Sequence, residues 1–597
     1  MLVASLFCLF GLLVQSRSTP VQNVFEVPIV KRPRHLQGRF LQITDLHPDP
    51  FYLPGTSTSK ACHKKIPKKK KKRAGYYGTP YSECDSPLTL TNYTLDFLEE
   101  HWADDIDFVI WTGDNARHEN DPKIPRTTNE IYEMNDVLAK RMNEIFTIRG
   151  IPVIPSLAHV RMKLIFILYR PNLTSVSFRI FLAQVTIFCV TIPLSPNSII
   201  NEFLKIWQSF VPFPYHQAFR QGAYFAVEVV PNALAVISLN TLYFYDANDG
   251  AHFLLTCVEC SHVLREAVSG CNYNEPDDPG NLQFAWLEDQ LKSYRKRGMQ
   301  VWVTGHVPPS NYFPECYVQY VRLALNFQDT ILGHLYGHKN ADHFFFVEAK
   351  DLESGNNNSR ASKHNDLYDS LVVDFAQLPK PKKTDLDEYA IINVSPPVVP
   401  NPYLPTFRIF TYNITGVEKA LADGSSIRHV NVIDSGTERL LDQRQVKLRD
   451  EPSHCTDELY RNSWKCRLQF DPPQNADAPS RTSRLWTPLG YAQYFIPHLK
   501  DADKSDPPHY KLEYTTFPAS VILPEEGQNE TEIWYPIPLR NLPKSVRDGK
   551  MKKKYFPYSM QDLTIGSWLD LARRLGDIKE KKLRKRFRQY MYLGGRE

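Results

Sequence analysis

A chain of 597 residues, 42% hydrophobic and 12% aromatic, carries enough apolar side chain for a large core, which excludes a disordered chain and predicts one large domain plus a second module. The formal net charge of +5 is small for this length, and the positive charge is concentrated at Lys64 to Arg73 and Lys579 to Arg588. Neither run has the interleaved aromatics of a single-strand binder, so nucleic acid is not an expected partner.

In chain order, Leu2 to Val14 is almost wholly apolar and turns polar at Gln15. That is the length of a signal-peptide core and falls short of the roughly 20 residues of a spanning helix. Residues 1–20 therefore read as a signal peptide or as an uncleaved signal anchor, the latter giving a single-pass type II membrane protein associated with the membrane through its N-terminus. Asn-x-Ser/Thr sequons at Asn92, Asn172, Asn357, Asn393, Asn413 and Asn529 agree with a lumenal destination. Ten cysteines in an oxidising compartment predict disulfides. The local pairs Cys62/Cys84, Cys271/Cys316 and Cys455/Cys466 are the expectation, although spacing does not fix connectivity.

From Gly38 to about Lys350, short β-rich runs alternate with helical stretches, the pattern of a layered α/β domain spanning residues 38–350. The expected strands are Arg39 to Ile43, Phe108 to Trp111, Pro152 to Pro155, Ala233 to Leu239 and Gln300 to Val303. Polar residues follow their carboxyl ends, where loops converge and side chains can point into one crevice. Asp45 and His47 follow the first strand, two residues apart on an extended chain end and so able to point the same way. Lys64 to Arg73, between Cys62 and Cys84, predicts an exposed positive loop near this first element.

Gly113 and Asp114 end the second strand, the glycine permitting a tight turn and the carboxylate able to bridge two cations, with Arg117 and His118 just beyond. Gly305-His306 follows the strand at Gln300 to Val303. Gly337-His338-Lys339-Asn340 precedes the run Phe344 to Val347.

Two stretches interrupt this pattern. No acidic residue occurs between Ile145 and Asn201, and Val160 to Leu194 is apolar and β-branched but broken by Arg170, Pro171 and Arg179 before spanning length. Gly250 to Arg265 holds a Cys-x-x-Cys, Cys257 and Cys260, without a second Cys/His pair to complete a zinc site. After Lys350 the composition turns to Pro, Lys and Asp, so residues 351–387 read as a polar, disordered linker. Residues 388–597 read as an accessory C-terminal region with a basic tail whose lysines suit an anionic membrane or a solvated helix face.

Two divalent cations held together need a bridging carboxylate and several imidazoles, and oxygen and nitrogen donors suit Mn, Mg, Zn or Fe. Asp-x-His, Gly-Asp, Gly-His and a late Gly-His-x-Asn in this order resemble the calcineurin-like metallophosphoesterases, whose β-sandwich flanked by helices is then the expected fold. Trp111 to His118, Phe210 to His216, Asp277 to Leu282, Gly305 to Pro309, Ile331 to Phe346 and the tail Tyr590 to Gly595 are similar to the vacuolar endopolyphosphatases, relatives of the acid sphingomyelinase-like phosphodiesterases.

The resemblance implies that Asp45, His47, His306, His338 and Asn340 ligate two metals, with Asp114 between them and His118 protonating the leaving oxygen. Arg117 would grip a phosphate, and Lys68, Lys69 and Lys70 would attract the polyanion. It implies hydrolysis of internal phosphoanhydride bonds of inorganic polyphosphate in the vacuole. A sphingomyelinase-like phosphodiesterase and an inactive polyphosphate-binding paralogue or gene-model product are the alternatives. The second arises because the family's Gly-Asn element after the strand Pro152 to Pro155 is replaced by Ser156-Leu157-Ala158-His159-Val160. Residues 158–195 and 250–265 accordingly read as aberrant insertions, with His159 as a substitute ligand.

Overall fold

Among the described residues twelve strands form two six-stranded sheets, and Phe108–Trp111 and Val153–Pro155 are unbroken apolar runs because strands covered on both faces need not alternate. The computed structural model describes residues 35–158, 162–163, 188–189, 198–247, 271–272, 276–354, 366–417, 475–522, 535–550 and 553–593. Numbering the strands of the two six-stranded sheets, Arg39–Ile43 is β1, Phe108–Trp111 β2, Val153–Pro155 β3, Phe225–Val230 β4, Leu234–Ser238 β5 and Gln300–Thr304 β6. Ile331–Tyr336 is β7, His343–Glu348 β8, Tyr389–Val394 β9, Thr406–Tyr412 β10, Pro488–Phe495 β11 and Lys511–Thr515 β12.

The first sheet has the order β12-β11-β10-β1-β2-β3, the second β8-β9-β7-β6-β5-β4. β1, β2 and β3 run parallel, as do β5, β6, β7 and β9, so the loops after β1, β2, β6 and β7 open at carboxyl ends. The sheets pack face to face through aromatic rings. Phe40 stacks between Phe108 and Phe410 at 4.6 and 5.0 Å and meets the edge of Trp302 from the opposite sheet at 5.0 Å. Leu88–Trp102 (α1) lies on the first sheet, with Trp102 edge-on to Tyr494 at 5.3 Å. Thr128–Ile145 (α2) starts at Thr127, whose hydroxyl caps Glu130 N–H.

Two expectations of domain organisation are corrected. β9 to β12 come from the region expected to be accessory, yet they sit inside both sheets, β10 pairing directly with β1. Residues 38–350 alone therefore lack the strands that complete either sheet. The expected disordered linker contains the helix Leu367–Ala376 (α3), which buries Tyr368, Leu371, Val372 and Phe375. Phe375 stacks on Phe344 at 5.0 Å, and the Cβ-free face of Gly576, in the helix Ile565–Gly576 (α4), fits against the α3 backbone. The Pro- and Lys-rich composition concealed this apolar stripe. A last helix, Lys581–Met591 (α5), buries Leu583, Phe587, Tyr590 and Met591.

The disulfides Cys62–Cys84 and Cys271–Cys316 are formed. Cys455 and Cys466, the N-terminal segment 1–20, nearly all of 158–195 including His159, and the whole of 250–265 lie outside the described residues. No helix among the described residues is long and apolar enough to cross a membrane.

Candidate active site

Asp45, His47, Asp114, His118, His338 and Asn340 line one cavity of about 270 Å³ at the carboxyl ends of β1, β2 and β7. Its wall is conformationally strained. Asp45, His47, Asp114, His338 and Asn340 adopt φ of 50°, 40°, 53°, 71° and 53°, a left-handed region that costs a non-glycine residue on the order of 1 kcal/mol. Gly113 must be glycine, because a Cβ at its φ of 93° would lie 2.8 Å from the carbonyl of Ser156. Gly337 passes so close beneath Asp45 that a Cβ would sit 2.6 Å from Asp45 Oδ2.

Asp114 stands between two imidazoles. Its Oδ2 is 3.3 Å from His47 Nε2 and 3.1 Å from His306 Nε2. Each ring gives its Nδ1–H to a carbonyl, His47 to Ala116 at 2.9 Å and His306 to Thr112 at 2.8 Å, which fixes the tautomer and turns Nε2 inward. Asp45 takes hydrogen bonds from Thr44 Oγ1 and His338 N–H on Oδ2, leaving Oδ1 toward His47 at 3.6 Å. Asn340 donates from Nδ2 to the carbonyl of Asn401 at 3.1 Å.

The buried atoms Asp45 Oδ1, His47 Nε2 and Asn340 Oδ1 make no hydrogen bond. Orphaned lone pairs of this kind are costly unless a cation takes them. Two groups, Asp45-His47-Asp114 and Asp114-His306-His338, each bring ligand atoms within 4.8 Å of one another and share Asp114, a donor set that fits divalent cations. The electrostatics agree. Burial lowers the His47 pKa, but the Asp114 and Asp45 carboxylates outweigh it and push it up to about 10, so the carboxylates favour a positive charge at Nε2, either a proton or a cation in its place. Burial likewise raises the Asp114 carboxyl, yet His306 and His47 hold it well below the usual range.

His118 stacks on His47 at 3.9 Å, with 37% of its side chain exposed to the cavity mouth. Asp85 holds it, a residue that the sequence reading missed because nothing in its spacing marks it. Burial raises the Asp85 carboxyl, but the neighbouring His118 overrides this and lowers it to about 2.

Arg117 is a correction. Its guanidinium is fully buried, ion-paired to Glu130 at 2.6 Å and hydrogen-bonded to the carbonyl of Ile124 at 3.0 Å, so it braces the loop before α2 and is not among the residues lining this cavity. Arg126 takes the position expected of it. This side chain lines the cavity, is 8% exposed, donates to the Arg117 carbonyl at 2.7 Å, and leaves its buried Nε without a hydrogen-bond partner. Lys68, Lys69 and Lys70 are exposed outside the cavity wall on the loop closed by Cys62–Cys84, which Lys64 ties to Asp121 at 2.5 Å.

The loop after β3 provides no donor within the described residues: Ser156 Oγ bonds Ser238 Oγ at 2.9 Å, and Ala158 packs on Gly113. Among the sequons, Asn92 is exposed on α1 and Asn413 half-buried. Asn393 is corrected, because at 4% exposure in β9, paired on both edges, it has no room for a glycan. Asn172, Asn357 and Asn529 lie outside the described residues.

No family model matches the chain. It is 34% identical to the endopolyphosphatase of Cryptococcus neoformans, over 99% of this chain and 98% of that protein. It is 28% identical to the endopolyphosphatases of Schizosaccharomyces pombe, over 90% and 83% of the two chains, and of Saccharomyces cerevisiae, over 92% and 84%.

Proposed function

This chain belongs to the endopolyphosphatase family, and on that premise we propose how its own residues carry out the cleavage. The reaction is hydrolysis of internal phosphoanhydride bonds of inorganic polyphosphate to shorter chains. The observation that carries the residue assignment is the placement of Asp114 Oδ2 between His47 Nε2 and His306 Nε2 at 3.3 and 3.1 Å.

Asp45, His47 and Asp114 would hold one divalent cation; Asp114, His306 and His338, with the Asn340 amide oxygen, would hold a second. Bound there, such cations supply an activated water and neutralise the phosphate oxygens, with Mn, Mg, Zn and Fe all suited to the donors. His118 is the acid. Asp85 fixes its Nδ1, and Nε2 is the nitrogen left to protonate the oxygen of the departing chain. Arg126, which lines the cavity, would donate to a phosphate oxygen, and Lys68, Lys69 and Lys70 would raise the local concentration of the polyanion. The signal-like N-terminus, the two disulfides and the exposed sequon at Asn92 support delivery through the secretory pathway to the vacuole.

The test is hydrolysis of long-chain polyphosphate with Mn or Mg, product length being followed on a gel while bound metal is counted per chain. Metal-dependent shortening through mid-length products is expected in the wild type. His118→Ala should abolish cleavage with metal retained, and Asp114→Asn should lose both. Unchanged cleavage by Asp114→Asn would sink the assignment.

A further inference from the structure

The last helix, α5, presents an uncompensated basic stripe. Its apolar residues Leu583, Phe587, Tyr590 and Met591 face the core, while Lys581, Lys582 and Lys585 are exposed on the opposite side. A second segment brings more charge to it. The carbonyls of Lys553 and Lys554 accept hydrogen bonds from Arg586 Nη1 at 2.9 Å and from the Tyr590 hydroxyl at 2.6 Å, so these two exposed lysines lie beside the helix. Among the described residues, no acidic side chain forms an ion pair with any of these five lysines. Only Arg588, nearer the helix end, is neutralised, by Asp366.

Like charges gathered without counter-charges repel, so the stripe does not stabilise the fold. It creates a field for an anion. Position says which anion. The carbonyl of Met591, at the end of α5, accepts the Asp342 N–H at 3.1 Å, two residues beyond the cavity residue Asn340. The carbonyl of Leu593 accepts the Tyr81 hydroxyl at 3.1 Å, and Tyr592 packs on Tyr403 at 5.6 Å, two residues from the Asn401 that orients both Asn340 and Asp85. The C-terminal end of the helix is thus anchored beside the active-site cavity, with Lys585, Lys582 and Lys581 six, nine and ten residues back along it. Lys581 and Lys585 share a face about 6 Å apart along the axis, and the helix runs about 15 Å from Lys581 to Met591 at 1.5 Å per residue.

Resting on the polyphosphatase reading, we infer that the α5 stripe, with Lys553 and Lys554, is an exosite for the distal part of a long polyphosphate chain whose near end lies in the cavity. A linear polyanion longer than the cavity must run over the protein surface, and this stripe is attached where the cavity ends. A membrane is the less suitable occupant. An amphipathic helix binds lipid by inserting its apolar face, and here that face is buried in the core.

The test compares wild type with Lys553→Gln/Lys554→Gln/Lys581→Gln/Lys582→Gln/Lys585→Gln, and with the five Lys→Arg changes as a control. Two quantities are read: anisotropy of end-labelled long-chain polyphosphate across a salt series, and KM and kcat on long chains and on tripolyphosphate. The Gln variant should bind long chains about tenfold more weakly, with a salt slope shallower by up to about 3.5, from roughly 0.7 for each of the five lost contacts. Its kcat and its kinetics on tripolyphosphate should stay at wild-type values, and the Arg variant should match wild type.

Equal long-chain affinity and salt slope in the Gln variant would overturn the exosite. So would selective loss of binding to vesicles of phosphatidylcholine and phosphatidylserine with polyphosphate affinity intact. If wild type binds long chains and cleaves none of any length, the enzymatic reading fails, whereas weaker binding by the Gln variant would still support a polyphosphate site on α5.

Discussion

Asp85 grips His118 with both carboxylate oxygens, one on the backbone N–H at 2.6 Å and the other on ring Nδ1 at 2.7 Å. The ring is therefore fixed in position and tautomer before substrate arrives. Asp85→Asn should keep the fold and the KM for polyphosphate while lowering kcat by about 10²-fold or more, since an amide can present its N–H to Nδ1 and reverse the tautomer. Combining it with His118→Ala should add little. Additive losses in a double-mutant cycle would argue against a single acid unit.

Arg117 and Arg126 are nine residues apart and should fail differently. Arg126→Met removes a charge-assisted donor from the cavity wall, about 1.5–3 kcal/mol, so KM should rise roughly 10- to 100-fold with little change in melting temperature. Arg117→Met strands Glu130 in a largely buried site and should destabilise the fold by about 3–5 kcal/mol. Steady-state kinetics and urea unfolding on both variants separate the roles; a KM effect confined to Arg117 would reverse them.

Cys62–Cys84 closes a loop over a sequence separation of 22 and ends one residue before Asp85. Chain-entropy arguments give such a closure about 3 kcal/mol. The double variant Cys62→Ser/Cys84→Ser should lose about that much in chemical denaturation and should also lose kcat, because the segment holding Asp85 gains freedom. An unchanged unfolding midpoint would show that the loop is held by its other contacts alone.

Glu513 gives the fold a pH dependence of definite sign. It lies buried in β12, where Gln493 Nε2 donates to it at 2.7 Å and to Asp342 Oδ2 at 3.1 Å, and Arg408 pairs with Asp342. Burial pushes the Glu513 carboxyl well above its ordinary 4.5, and the negative charge of Asp342 adds to this against the Gln493 hydrogen bond. The raised value means the folded state favours the protonated acid. Its contribution is fully present below pH 4.5 and is lost as pH rises toward the folded value, by about 1.4 kcal/mol per pH unit. Glu513→Gln cannot ionise, so it should match wild type near pH 4 and exceed it in melting temperature near pH 8. Parallel pH profiles for the two proteins would refute this.

The pattern of candidate metal ligands was legible because its members follow strands that are themselves legible. Asp45, Asp114 and His306 each come within three residues of a strand's end, and parallel strands send those ends to one side. Asp85 and Arg126 were not legible, since each sits in a loop and acquires its role only from how that loop folds against the cavity. Arg117 misled for the same reason: next to His118 in sequence, it is turned away in space by Glu130.

The sequence by itself marked five of the strands, the two local cysteine pairs that are formed and the residues with metal-binding chemistry, because local apolar runs and short spacings point to these. Tertiary structure alone decided that the C-terminal strands complete both sheets, that Arg126 rather than Arg117 meets the cavity, and that the basic helix ends at its rim. The sheet and helix outcomes depend on contacts between residues hundreds of positions apart, such as β1 with β10 and Tyr81 with Leu593, and the arginine outcome on how one loop folds, which no local pattern records.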